Sequence, residues 1–104
     1  LEIAKMLHIV NKSPTERNSV ESCLAHATKG SVVLLIEDAV YAATRGSAAE
    51  TKVKSAMADL TIYALQPDLA ARGMADRVID GVNLVDYGGF VDLVAEQSNC
   101  QSWL

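Results

Sequence analysis

Three short apolar runs punctuate the chain: MLHIV at 6–10, VVLLI at 32–36 and LTIYAL at 60–65. Each has the length of a β-strand, and the segments between them are long enough for crossover helices. The second run is apolar at every position, so a strand written this way must be covered on both faces, as in a parallel sheet with helices above and below. VNLVDY (82–87) reads as a weaker fourth strand and the terminal QSWL as a short fifth. The βαβαβ alternation predicts an α/β fold: a single three-layer, Rossmann-like domain around a mostly parallel sheet of about five strands.

Helix signals fill the gaps. Ser13-Pro14-Thr15-Glu16 has the form of an N-cap, a first-turn proline and a capping-box glutamate, with Ser19 as a competing start and Gly30 as the stop. Asp38 is placed to cap a short helix over AVYAAT, followed after Gly46 by a second helix over SAAETKVKSAMA. Gln66-Pro67-Asp68 opens a short helix ending at Gly73, and Tyr87-Gly88-Gly89 precedes a last helix whose apolar stripe is Phe90, Val91, Leu93 and Val94.

Composition sharpens this picture. Half of the 104 residues are apolar but only 5% are aromatic, which suits closely packed helices on a sheet. The mean hydropathy of +0.16 is high for so small a unit. Part of that apolar surface is expected to lie against partner subunits. The net charge is −4 and the nine Lys and Arg residues are scattered, so no basic footprint for nucleic acid exists and no direct nucleic-acid binding by this chain is expected. No apolar stretch approaches a membrane span, no signal peptide is visible, and two cysteines make no disulfide framework, so a reduced cytoplasmic protein is expected. MLHIV resembles a natural start, which marks residues 1–5 as a candidate upstream or non-native extension and 6–104 as the domain.

The chemistry available is narrow. The first strand-to-helix loop, NKSPTER, has no glycine to admit a phosphate, and the third strand ends Tyr63-Ala64-Leu65, without a phospho-acceptor aspartate. Glu37 and Asp38 close the second strand, where neighbours point to opposite faces, so a helix cap suits Asp38 better than acid/base work. His8 shares a strand face with Met6 and Val10 and reads as a core or interface histidine. Cys23 and His26 form a C-x-x-H half-site, but His8 and Cys100 have no matching spacing, so no metal is expected.

The thiols remain. Val20, Leu24 and Ala27 make the apolar stripe of the first helix, with Cys23 at its edge and His26 one turn on. By spacing alone Cys23 reads as a semi-buried packing group. Tuning by His26 is a weak lever: lowering a thiol pKa from about 8.5 to about 7 raises the thiolate fraction roughly eightfold but lowers nucleophilicity four- to sixfold. Cys100, beside Asn99 and Gln101 near the chain end, is expected to be accessible.

Several stretches together resemble the DsrH/TusB family: MLHIVNKSP, VVLLIEDAVYAA, IYALQPDLAARGM, VDYGGFVDLV and the tail QSW, in the family's order and spacing from Met6 onwards. The cysteine in the first helix resembles the DsrH branch. The resemblance implies a cytoplasmic subunit of an α2β2γ2 heterohexamer with DsrE-like and DsrF-like partners, or of the related TusBCD assembly. Such complexes hand persulfide sulfur to a DsrC/TusE-like acceptor, without cofactor, during sulfur oxidation or on the way to 2-thiolation of tRNA wobble uridine. The principal sulfur-carrying cysteine belongs to the DsrE/TusD-type partner. Cys23 is the candidate carrier in this chain; the alternative is a structural or docking subunit with no chemistry of its own.

Overall fold

The structure, a computed structural model, describes residues 6–13, 18–97 and 99–103. Along the chain lie β1 (Leu7–Val10), α1 (Ser19–His26), β2 (Val32–Leu35), a 3-10 helix (Glu37–Ala43), α2 (Glu50–Ala56), β3 (Thr61–Leu65), α3 (Gln66–Ala71), β4 (Asn83–Val85), α4 (Tyr87–Glu96) and β5 (Cys100–Trp103). The five strands form one sheet in the order β4-β3-β2-β1-β5, and all four neighbouring pairs are parallel. The expected α/β architecture is the observed one, with the sheet wholly parallel.

Topology decides which helix covers which face. From β1 to β4 the chain steps one strand at a time in a single direction, and right-handed crossovers place α1, the 3-10 helix, α2 and α3 on one side. The last connection runs back across the whole sheet from β4 to β5, so the same handedness puts α4 on the other side. Two apolar clusters result. The larger joins Val10, Val33, Leu35, Ile62 and Ala64 of the strands to Val20, Cys23, Val40, Val53 and Leu69 of the helices. The smaller has three buried members, Leu7, Leu34 and Leu93, with Ile9, Val32, Ile36, Tyr63, Val85 and Phe90 partly buried around them. Strand alternation accounts for the split, since Leu7 and Leu34 face α4 while Val10, Val33 and Leu35 face the other helices.

Several element ends differ from the sequence expectation, each for a local reason. The first helix stops at His26 rather than Gly30, because residues 28–31 form a turn closed by Ser31 N–H to Thr28 O (2.9 Å), with Gly30 at φ 87° and its N–H on Asp59 O at 2.7 Å. Its start at Ser19 favours the second of the two candidate positions; Pro14, Thr15 and Glu16, like residues 1–5, lie outside the described residues. The second strand ends at Leu35, and the 3-10 helix begins at Glu37 with no side-chain cap. Asp38 therefore sits inside the first turn, where it cannot cap, and its carboxylate pairs instead with Arg72, the residue that follows α3 (2.8 Å). The helix expected over 47–58 is confined to Glu50–Ala56. Tyr87 belongs to α4 rather than preceding it, because Asp86 Oδ1 accepts the Gly89 N–H at 2.8 Å and caps the helix there. Of the expected α4 stripe, Leu93 is buried and Phe90 partly so, whereas Val91 is 66% exposed and Val94 40%. A lone helix on a sheet presents only one arc to it, and Val91 and Val94 fall outside that arc.

Candidate functional site

The apolar arc of α1 is centred one position away from the stripe read in the sequence. Val20 and Cys23, spaced i and i+3, are buried, while Leu24 and Ala27 pack at the margin. Cys23 has 0% of its surface exposed. Burial pushes its thiol up to about 12. A thiol raised this far stays protonated at neutral pH, and the thiolate is the species that attacks sulfur. His26 does not correct this. It is exposed, and its Nδ1 lies 2.8 Å from the Ser22 carbonyl oxygen of its own helix, to which it donates.

The contact that His26 makes outside its helix is with Trp103, at 6.3 Å between ring centroids. Trp103 ends β5, paired in register with Val10. Its indole Nε1–H donates to His8 Nδ1 at 3.1 Å, and the two rings lie 6.1 Å apart at 44°. An accepting Nδ1 makes His8 the neutral Nε2–H tautomer. His8 is 5% exposed, in agreement with its reading as a core histidine, and burial lowers its pKa below 6.5.

At the carboxyl ends of β2 and β3, where parallel α/β sheets place their sites, a polar cluster joins the 3-10 helix to α3. Glu37 has φ 51°, and its N–H donates to Asp68 Oδ2 at 2.6 Å. Arg72 donates through Nε to Asp38 Oδ1 (3.0 Å) and through Nη1 to the Asp68 carbonyl oxygen (3.1 Å). Glu37 and Asp38 thus serve the turn and the helix packing, with no convergence on a shared substrate position. The i, i+4 spacing of Asp68 and Arg72 was the available signal for this cluster. Nothing in the sequence paired Trp103 with His8, because 95 positions separate them.

The two thiols cannot meet. Cys100 is exposed and stands in register with Leu7, on the α4 side of the sheet, whereas Cys23 lies beneath α1 on the other side. Among the described residues, no three His, Cys, Asp or Glu side chains gather as a metal-binding group. A small cavity of about 190 Å³ lies between α1 and α2, lined by Val20, Leu24, Ala49, Lys52 and neighbours, and the exposed Lys52–Glu21 ion pair (2.5 Å) spans the two helices there. No described helix is long and apolar enough to cross a membrane.

The family model described as "DsrH like protein" matches residues 12–100. The chain belongs to the DsrH-like family. It is 32% identical to Protein TusB of Pectobacterium parmentieri over 98 residues, covering 94% of this chain and all of that protein. Protein TusB of Buchnera aphidicola is 35% identical over 100 residues, with the same coverage. Among solved structures, the ychN protein from E. coli superposes with a TM-score of 0.83 at 16% identity, over 96% of this chain and 99% of that one. A protein of unknown function from Methanobacterium thermoautotrophicum gives 0.71 at 19% identity, over 97% and 99%. These two likenesses establish the fold.

Proposed function

We propose that this chain is a subunit of a sulfur-relay complex of the TusBCD or DsrEFH kind, supplying framework and docking surface while a cysteine of a partner subunit carries the persulfide. Membership of the DsrH-like family along nearly the whole chain supports the relay. The division of labour rests on one observation, the complete burial of Cys23 with its thiol held protonated. A carrier must receive sulfur by attack of its thiolate on a donor and then release it to a second incoming thiolate. Both steps need a thiolate and an open approach, and Cys23 has neither. In this reading Cys23 fills the gap between α1 and the sheet.

Of the two branches, the TusB relatives favour delivery towards 2-thiolation of tRNA wobble uridine. The presence of Cys23 in the first helix favours the sulfur-oxidising branch. A strain lacking this chain tests both: loss of 2-thiouridine from tRNA supports the first, and intact 2-thiouridine with impaired oxidation of reduced sulfur supports the second. Complementing that strain with Cys23→Ala restores full function if the thiol only packs. An assembled Cys23→Ala complex that fails to transfer sulfur contradicts the division of labour.

A further inference from the structure

The observations that converge outside the proposed relay role are those around Trp103. β5 is an edge strand of four residues, hydrogen-bonded to β1 alone, and its Cys100, Gln101 and Ser102 are exposed. Trp103 is its half-buried anchor, packed against the cluster that encloses Cys23 and bonded to His8. The bond exists only while His8 Nδ1 keeps its lone pair, since a protonated imidazole has two donors and no acceptor.

We infer that the Trp103–His8 pair is a proton-operated latch: neutral His8 holds the end of β5 on the sheet, and a proton taken from solvent onto Nδ1 removes the acceptor and releases Trp103. The doubly protonated ring would then set an N–H against the indole N–H inside a site that is 5% exposed, so the strand end gives way before the proton is accommodated. Opening loosens one wall of the cluster around Cys23.

Few other charges bear on His8. On the described elements packed against it, β2 carries no titratable group, and β5 carries only Cys100, on the opposite sheet face. From α1 come buried Cys23, exposed His26 and exposed Glu21, the last paired with Lys52 of α2. Burial is accordingly the cause of the His8 shift. The unfolded or released histidine takes its proton near 6.5 and the latched one at lower pH. The latched state binds fewer protons in that window, so its stability falls as pH drops from about 6.5 towards the lower value and levels off beneath it. The released population rises by up to about tenfold per pH unit across the window.

Trp103 is the one tryptophan of the chain, so its fluorescence reports the latch directly. In the 104-residue chain, emission should shift to the red as pH falls below about 6.5 while the far-ultraviolet circular dichroism holds. His26→Gln should keep the shift, excluding a contribution from the neighbouring ring. His8→Asn, which offers an untitratable acceptor near the Nδ1 position, should abolish it. Absence of the shift in the wild type, its survival in His8→Asn, its loss in His26→Gln, or concurrent loss of secondary structure overturns the latch. Should His8→Asn not fold, nitrogen-15 spectra of wild-type His8 at neutral pH decide: a bare Nδ1 with protonated Nε2 supports the latch, and a protonated Nδ1 overturns it. None of these outcomes depends on the relay assignment.

Discussion

The two faces of this sheet are finished to different degrees. Four helical elements close the first, where side chains such as Val33, Leu35, Ile62, Val53 and Leu69 are fully or almost fully buried. On the second, among the described residues, α4 is the one helix over the five strands, three apolar residues are buried, and six more are only partly so. The outward surface of α4 carries exposed Tyr87, Val91 and Val94. The first face is what lets the chain fold; the second holds apolar surface in excess of what one ten-residue helix can hide.

Substitutions can break this contrast, starting from the closed face. Leu35→Ala removes a side chain that is 1% exposed and should cost about 3 kcal/mol in urea-monitored unfolding. On the open face, α4 depends on its cap. Asp86→Ala frees the Gly89 N–H and should cost about 1 kcal/mol by the same measurement. The Arg72–Asp38 pair joins elements of the closed face at its carboxyl edge, with Asp38 half exposed, so a double-mutant cycle of Arg72→Met and Asp38→Asn should give a coupling below about 1 kcal/mol. Smallest of all, Val91→Lys on the outer side of α4 should change stability by less than about 0.5 kcal/mol, because the side chain is already 66% exposed. A loss comparable to that of Leu35→Ala at Val91 would show that the second face is packed as tightly as the first.

The contrast also explains what could be read from residues alone. VVLLI announced a strand covered on both sides, and the regular run of apolar segments and helix signals was enough for the layered α/β fold. Gln66-Pro67 and Gly73 bracketed α3 correctly, since proline and glycine act locally. Asp38 and the outer residues of α4 were misplaced because their surroundings are set at long range. Arg72 draws Asp38 from 34 positions away, and the sheet decides which arc of α4 it buries. Cys23 was legible as part of an amphipathic helix, but a shift of one position in the buried arc separates a semi-buried thiol from a wholly enclosed one. The His8–Trp103 bond had no sequence signal at all, for it depends on β5 returning beside β1.

The central claim is that sulfur passes through the assembly without resting on Cys23. Mass spectrometry of the assembled complex after loading with a sulfur donor, with peptides mapped under non-reducing conditions, tests it directly. The expected result is a Cys23 peptide of unmodified mass alongside a persulfidated cysteine on a partner subunit. A Cys23 peptide heavier by one sulfur atom, formed by the native complex at neutral pH, would contradict the claim.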